Sequence, residues 1–191
     1  MEKPSFNLRT TAYPMPVALV GSTVNGKPNF MAVAWFTKVN SNPPMMMIAL
    51  GKHKHTAQGI AQNNCLSVNI PGEDKVTETD YCGIVSGREE DKASLFDVFY
   101  GDTVRAPMIR GCPVNYELRL TDTIETPGTN LFIGEIVGAY VDGDKRSGET
   151  PDLTKAKPLT LIESPPSHYH GLGHHVADAY EIGKRLKHSN T

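Results

Sequence analysis

The chain has few cysteines, and their arrangement excludes several classes of protein. Only Cys65, Cys82 and Cys112 occur among 191 residues, and no two of them form a Cys-x-x-Cys pair. An odd number of widely spaced cysteines predicts neither a disulfide framework nor a zinc or iron–sulfur site. Reduced, buried thiols are therefore expected, and any redox chemistry would need an organic cofactor.

An excess of one charge and a long apolar run are also missing. The 19 basic residues nearly balance the 21 acidic ones, which gives a formal net charge of -2. Nucleic-acid surfaces need a clear basic excess, so nucleic acid is not an expected partner. No apolar run approaches the ~20 residues that cross a bilayer, and residues 1–7 resemble neither a signal peptide nor a transit peptide. We therefore expect a cytoplasmic protein with no membrane partner.

Length and patterning indicate one domain that begins with a β-hairpin. No repeat or linker divides residues 1–191, a length typical of a single domain. A strand over residues 17–24 meets a second strand over 29–39 at Asn25-Gly26, a pair suited to a two-residue hairpin turn. Both faces of the second strand are largely apolar, which predicts burial on both sides, in a barrel wall or under a partner subunit.

The rest of the chain predicts short strands with scattered helices. Neither a βα alternation nor a Gly-x-Gly-x-x-Gly turn occurs, so a mainly-β (α+β) barrel with a few helices is favoured over a doubly wound sheet. The further predictions are strands at 45–50, 65–70, 114–121 and 131–141; helices at 56–63, 74–85 and 176–186; and surface loops at 86–107 and 142–157.

A basic turn before the first predicted helix is a candidate anion site. Residues 51–56 contain Lys52, His53, Lys54 and His55, followed by Thr56 as a plausible N-cap. The N–H groups and positive dipole end of a helix favour a phosphate, and hydroxyl and ammonium groups add donors. The alternative is a solvated turn between strand and helix.

Two further features suit an aromatic cofactor. Strict alternation along the second strand places Asn29 and Trp35 on one face, where they offer an amide and a flat surface to a heteroaromatic ring. Alternatively, the single Trp fills the core. Lys92, in a charged stretch from residue 86, would raise the reduction potential of a flavin if it reached the N1–C2=O edge, although such a stretch is usually a surface loop.

Other chemistry is less well supported. Four of the seven histidines lie in residues 168–175, but no pair has helical i, i+4 spacing with an acidic neighbour, so no metal site is predicted. Tyr169 either lies at the rim of a cofactor or packs under the last helix. Hydrolase, Walker and zincin motifs are absent, and no catalytic side chain is predicted.

The order of these pieces resembles the flavin reductase-like family of FMN-binding split β-barrels, and most closely its flavoredoxin-type members. The resemblance covers most of the chain. Its fragments are residues 13–20, 29–35, Thr56 after the basic turn, 67–71, 86–88 with 91–92, 106–109, 134–137, and Tyr169 with 172–173.

The resemblance implies an FMN held at the interface of a homodimer. Two departures from the family pattern concern Asn130, where relatives often carry His, and Ala93, where Phe is frequent. Asn130 can still donate a neutral hydrogen bond but cannot become cationic. The implied cofactor residues are Asn29, Phe30, Met31, Ala32 and Trp35 around the ring, Lys52, His53, His55 and Thr56 at the phosphate, and Lys92, Asn130 and Tyr169 elsewhere on the cofactor.

Three functions remain open at this point. The leading one is an FMN-dependent electron carrier of flavoredoxin type, acting with a redox partner protein or a small-molecule acceptor. The second is an NAD(P)H-dependent reductase of flavin or another small acceptor, with NADH or NADPH as reductant. The third is a non-redox β-barrel binding module. In the first two, the cofactor supplies the chemistry and the protein sets potential and access.

Overall fold

An antiparallel sheet of seven strands organises the protein, and the computed structural model describes residues 2–187. The strands are β1 (Met15–Pro16), β2 (Ala18–Val24), β3 (Lys27–Val33), β4 (Phe36–Ser41), β5 (Pro44–Gly51), β6 (Cys65–Ile70), β7 (Val98–Tyr100), β8 (Pro107–Ile109), β9 (Val114–Glu125), β10 (Thr129–Val141), β11 (Arg146–Ser147), β12 (Thr150–Pro151), β13 (Thr160–Ile162) and β14 (His168–His170). The α-helices are α1 (His55–Asn63), α2 (Val76–Ile84) and α3 (Leu153–Ala156), and 3₁₀ helices cover Glu73–Lys75, Lys92–Leu95, Gly143–Lys145 and Ile182–Lys187.

The main sheet has the order β3-β2-β6-β9-β10-β5-β4. Its two edge strands, β3 and β4, follow each other in the chain but are not paired, so the sheet is not closed. Strands β1, β13 and β14 form a small second sheet, and β7 pairs with β8. The prediction of a mainly-β fold with a few peripheral helices is confirmed.

The predicted hairpin is present. Val24 pairs with Lys27, and the two residues between them, Asn25 and Gly26, have φ angles of 49° and 81°. Asn and Gly adopt positive φ at low cost, which is why this pair matches the right-handed twist of the two strands.

The second predicted strand is divided in the structure, which corrects the expectation of one continuous strand over 29–39. Strand β3 ends at Val33, because it pairs with β2 at one edge of the sheet, whereas β4 pairs with β5 at the opposite edge. The chain must therefore cross between the edges at Ala34 and Trp35. Trp35 consequently does not share a face of one strand with Asn29.

Two apolar clusters cover the sheet on both sides. Val20 and Val33 belong to a cluster with Ile60 of α1, whereas Leu19 and Phe30 belong to a second cluster with Cys82 of α2. Neighbouring strand residues thus point to opposite clusters, as the period of two requires. The predicted burial of the second strand on both faces is confirmed only in its first part, since Phe30 and Val33 of β3 are buried, whereas residues 37–41 of β4 are exposed.

Residues 86–107 are only in part the surface loop that their composition predicts, since residues 88–91 are exposed but others in the segment are not. The segment contains the Lys92–Leu95 3₁₀ helix and β7, and Lys92 and Ala93 are buried. The apolar residues explain the difference, because Phe96 packs edge-on against Phe30 at 5.5 Å between ring centroids and Ala93 joins the same cluster. Their burial carries the neighbouring polar residues inward.

The predicted helix over 176–186 is largely absent. Only the 3₁₀ turn Ile182–Lys187 forms, and Val176, Tyr180 and Leu186 are 86%, 94% and 76% exposed. An amphipathic helix gains most of its stability from packing its apolar face, and the apolar side chains named above do not pack against the rest of the described structure. Among the described residues, none of the helices has the length and apolar character to span a membrane.

Candidate anion-binding cleft

A cleft opens where the first turn of α1, the end of α2, strand β3 and residues 86–92 meet. The free space within it, part of which is open to solvent, is about 490 Å³, and its lining includes Met31, Thr56 and Gly83. Three of the lining side chains, Lys54, Arg88 and Lys92, are cationic, and none is acidic. We call this site the basic cleft.

The positive charge of the basic cleft is not neutralised within the described part of the chain. Lys54, Arg88 and Lys92 form none of the ion pairs found among residues 2–187. Because the whole protein carries a formal net charge of -2, this local concentration of positive charge is unexpected from composition. Such a cleft favours an anionic ligand.

Helix α1 adds its own positive end to the cleft. Its N-cap residue is Lys54, which makes no side-chain capping hydrogen bond, and the first turn contains no acidic residue. The first N–H groups of a helix lack intrahelical partners and attract anions. The prediction of Thr56 as the N-cap is wrong, because the helix begins at His55 and Thr56 is its second residue.

Thr56 and Asn29 form a buried polar contact on the floor of the cleft. The side-chain amide Nδ2 of Asn29 donates to Oγ1 of Thr56 at 2.8 Å, and the two residues are 6% and 1% exposed. The sheet fixes Asn29, which lies opposite Ser22 in the hairpin. Strand and helix therefore position this pair jointly.

Lys92 enters the site from the 3₁₀ helix Lys92–Leu95, next to the end of α2. Its Nζ donates to the carbonyl oxygens of Cys82 at 3.1 Å and Val85 at 3.3 Å. Burial lowers the pKa of the Lys92 ammonium, with a smaller effect of the same sign from Lys54, while Cys82 acts in the opposite direction. An ammonium has three N–H donors, so one remains for a ligand.

His55 carries a second unmet hydrogen-bonding group. Its Nδ1 atom is buried without a hydrogen-bond partner in the described structure. Burial lowers the pKa of the imidazole, and the charges of Arg88 and Lys92 lower it further. Neutral His55 is therefore favoured beside these cations, with one ring nitrogen available as an acceptor.

Arg88 connects two of the segments that line the basic cleft. Its Nη1 donates to the carbonyl oxygen of His53 at 3.0 Å, which ties residues 86–88 to the basic turn. A second cleft of about 830 Å³ adjoins the first and shares His55, Gly87 and Lys92 with it. The lining of that cleft also includes the acidic residues Glu89, Glu90 and Asp91.

The structure brings together about half of the predicted cofactor residues. Met31, His55, Thr56 and Lys92 line the basic cleft, and Asn29 lines the adjoining one. Two others touch the site indirectly. His53 contributes its backbone carbonyl to Arg88, and Ala32 lies beneath Gly83 of α2, 3.5 Å from where a Cβ of that glycine would stand.

The remaining predicted residues lie elsewhere. Phe30 is fully buried in the core, and Lys52 forms a 2.8 Å ion pair with Glu125. Asn130 lies opposite Leu50 in the sheet, with its Oδ1 buried and lacking a partner in the described structure.

Trp35 and Tyr169 are also separate from the basic cleft. Trp35 is 52% exposed in an apolar groove of about 920 Å³ that also contains Tyr13 and Met47. Tyr169 donates its hydroxyl to Asp80 of α2 at 3.1 Å, and burial together with that carboxylate raises its pKa to about 12. Residues 2–187 contain no group of three or more His, Cys, Asp or Glu side chains arranged to hold a metal ion.

The predicted cofactor residues did not include Arg88, Lys54 or Gly87. Arg88 and Gly87 lie in a charged stretch that reads as a solvated loop, and Lys54 is one of four basic residues in one turn. The available signals were the position of Gly87 and Arg88 in the resembling fragment at 86–88 and the place of Lys54 in the predicted anion site at 51–56. Side-chain patterning alone does not show that this stretch folds back onto α1.

Comparisons with known proteins agree with the architecture. The flavin reductase-like domain matches residues 9–169. The flavoredoxin of Methanosarcina acetivorans is 43% identical, with 97% of this chain and 100% of that chain covered and a TM-score of 0.94. The flavoredoxin of Desulfovibrio vulgaris (Miyazaki F) is 33% identical, covering 95% and 100% of the two chains with a TM-score of 0.87.

A more distant structure supports the fold alone. A protein from Shewanella frigidimarina that has a split barrel domain is 19% identical, covers 91% of this chain and 89% of its own, and has a TM-score of 0.78. The predicted split β-barrel with peripheral helices is thereby confirmed.

Proposed function

Because this chain belongs to the flavin reductase-like family, we propose that it is a single, flavoredoxin-like FMN-binding domain that acts in electron transfer. The observation that carries the proposal is a cleft with three cationic side chains, no acidic one and an uncapped helix start. The similarity to two flavoredoxins at 43% and 33% identity supports the same assignment.

The donor set of the basic cleft fits a phosphate monoester. Lys54 and Arg88 offer charged donors, the α1 N-terminus offers backbone N–H groups, and Thr56 offers a hydroxyl. A dianionic phosphate has enough acceptor lone pairs to accept hydrogen bonds from all of these donors at once. Residues Lys54, Thr56 and Arg88 are accordingly proposed to hold the phosphate of FMN, with His55 beside it.

The residues next to the phosphate donors suit the ring. Met31 and Gly83 form a partly apolar wall that has no side chain at residue 83. The remaining N–H donor of Lys92 lies in the same cleft. FMN, when bound, supplies one- and two-electron redox chemistry. A positive charge at Lys92 favours the redox state that carries more negative charge, so this side chain would raise the reduction potential.

A reductase that uses NADH or NADPH is the second candidate. The adjoining cleft is the observation that favours it, because that cleft lies beside Lys92 and includes the cations Lys27 and Arg88, together with the acidic residues at 89–91. In either case the chain supplies binding, charge and access. The acceptor would be a partner protein in the carrier and a small molecule in the reductase.

We further propose a cytoplasmic homodimer. Trp35 and Tyr13 are 52% and 65% exposed around one apolar groove, an arrangement typical of an association surface. All three cysteines are free and buried, which suits a reducing compartment. A homodimer would also let Trp35, which is remote from the basic cleft of its own chain, approach the cofactor of the partner.

Absorbance of the purified protein tests the proposal. A yellow protein, or one that takes up added FMN with quenching of flavin fluorescence at a stoichiometry of about one per chain, is the expected result. A colourless protein that does not bind FMN would instead support the binding-module alternative. Anaerobic addition of NADH or NADPH then separates the two redox roles: rapid bleaching supports the reductase, and no bleaching supports the carrier.

A further inference from the structure

The side chain of Asn29 is nearly buried, and its amide is engaged in a hydrogen bond with another residue of the site. Its amide donates to Thr56 Oγ1 at 2.8 Å, and only 6% of the residue is exposed. Thr56 itself lies in the first turn of α1, at the wall of the basic cleft. The amide therefore contacts the helix start from below, from the direction of the sheet.

The direction of this hydrogen bond constrains the Thr56 proton. A hydroxyl group has one O–H donor and two acceptor lone pairs. Because Asn29 donates, one lone pair of Thr56 is occupied and its O–H is left to donate elsewhere. Within a helix, a Thr hydroxyl often bonds back to a carbonyl of the preceding turn. Here no such bond occurs among the described residues, so the proton remains available to the cleft.

Gly87 fixes the other side of the same amide. A Cβ built on Gly87 would overlap Asn29 Oδ1 and would come within 3.0 Å of the His55 ring. Only glycine permits so close an approach of residues 86–88. The side chain of Asn29 thus lies closely packed between Thr56 and the backbone of Gly87.

We propose that Asn29 is a positioning residue for the phosphate of the ligand, acting through Thr56, and not a contact for the flavin ring. Asn29 holds the Thr56 hydroxyl so that its proton points to the phosphate, and Gly87 keeps Asn29 in place. This inference rests on the proposed FMN function. It replaces the expectation that the Asn29 amide recognises the polar edge of the ring.

A comparison of FMN with riboflavin tests the proposal, because riboflavin has the same ring and no phosphate. Dissociation constants for both are measured by flavin fluorescence in the full chain and in the variants Asn29→Ala, Thr56→Val and Thr56→Ser. Asn29→Ala and Thr56→Val are each expected to weaken FMN about tenfold, the effect of one lost charge-assisted hydrogen bond, and to change riboflavin less than about twofold. Thr56→Ser keeps the hydroxyl and is expected to retain FMN affinity.

Two more variants separate positioning from a general loss of structure. Asn29→Asp has nearly the same shape, but its carboxylate accepts the Thr56 proton and repels phosphate, so FMN is expected to bind more weakly than in Asn29→Ala. Gly87→Ala displaces the amide and should show the same selective loss of FMN. The double variant Asn29→Ala with Thr56→Val should bind FMN no worse than Thr56→Val alone.

Three results would overturn the inference. An equal loss of riboflavin and FMN in Asn29→Ala would mean that Asn29 contacts the ring. Additive losses in the double variant would mean that the two residues act independently. Failure of the unaltered protein to bind either flavin would overturn the proposed function itself, and with it this inference, whereas the first two results leave that function intact.

Discussion

Two polar regions of this protein are buried against the sheet, and they differ in how far their hydrogen-bonding groups find partners within the chain. The first, which we call the inner network, consists of Ser67, Asn69, Asn115 and Glu117 on β6 and β9. The second is the basic cleft. In the inner network, the fully buried carboxylate of Glu117 accepts from the backbone N–H groups of Val104 at 2.9 Å, Thr103 at 3.3 Å and Ala106 at 3.4 Å.

The amides of the inner network are satisfied in the same way. Asn69 Nδ2 donates to the carbonyl oxygen of Leu19 at 2.7 Å, and its Oδ1 accepts from the N–H of Ile109 at 3.1 Å and from Asn115 at 2.8 Å. Ser67 donates to the carbonyl oxygen of Pro107. These contacts attach residues 101–110 to the main sheet.

The basic cleft lacks such internal closure. Among the described residues, His55 Nδ1 has no partner, no side chain caps the start of α1, and one Lys92 donor remains after two carbonyls are satisfied. Buried polar groups cost stability unless they are hydrogen-bonded. The difference teaches that the polar groups of the inner network find their partners within the chain, whereas those of the basic cleft are left for the ligand that the proposed function requires.

Removing the carboxylate of the inner network is expected to have the largest effect. Glu117→Ala should lower the free energy of unfolding by about 3 kcal/mol or more, since a hydrogen bond to a charged group contributes about 1.5–3 kcal/mol. Denaturant titration measures this loss, and Glu149→Ala at an exposed turn is the matched control. FMN affinity of the folded protein should not change. A parallel fall in affinity would show that the two regions do not act separately.

Loss of the cleft cations should weaken FMN binding and leave stability almost unchanged, which is the reverse of the effect expected for Glu117→Ala. Lys54→Ala and Arg88→Ala are each expected to weaken FMN binding about tenfold, or ~1.4 kcal/mol, with stability almost unchanged. Fluorescence titration at low and high salt measures the effect, which should shrink as salt screens the charges. Lys38→Ala, on the exposed strand β4, is the control. Unchanged FMN affinity in both cleft variants would place the phosphate elsewhere.

Lys92 combines features of both regions, because it bonds to carbonyls and also faces the cleft. Lys92→Met should lower the two-electron midpoint potential of bound FMN by at least ~30 mV, the equivalent of ~1.4 kcal/mol. Lys92→Arg keeps the charge and should retain most of the potential. Spectroelectrochemical titration gives the values. Equal potentials in the wild-type and Met proteins would restrict Lys92 to a structural role at the end of α2.

The contact between Tyr169 and Asp80 should have the smallest effect and a defined pH dependence. The folded pKa of Tyr169 is about 12 against an ordinary value of 10.0. A raised folded pKa stabilises the protein below pH 10, and this contribution disappears between pH 10 and 12. Tyr169→Phe should cost less than about 1 kcal/mol at pH 8. Because the wild type loses stability above pH 10 and Phe cannot ionise, the difference should shrink and then reverse in sign as the pH approaches 12.

The control for this last experiment is Tyr180→Phe, since Tyr180 is 94% exposed. Denaturant titrations at pH 8 and pH 11 give the required differences. If Tyr169→Phe showed the same loss at both pH values, ionisation of Tyr169 would not contribute to alkaline instability.

Predictions made from the sequence were wrong at particular residues, for identifiable reasons. Trp35 was expected beside Asn29, because alternation was extended through the point where the chain changes from one sheet edge to the other. Residues 86–107 were expected on the surface, because their charges outnumber the few apolar residues that anchor them to Phe30. The inner network was not anticipated, since the partners of Asn69 and Glu117 are backbone groups of distant segments.

The sequence alone determined the features that depend on neighbouring residues. These are the Asn25-Gly26 hairpin, the period-two strands around a core, and a basic turn followed by a helix, all of which follow from local backbone and side-chain preferences. Only the tertiary structure decided which charges meet in the basic cleft, that Lys92 is buried there, and that Asn29 contacts Thr56. Those contacts depend on strand order and on the path of residues 86–92, which long-range packing fixes and local preference does not.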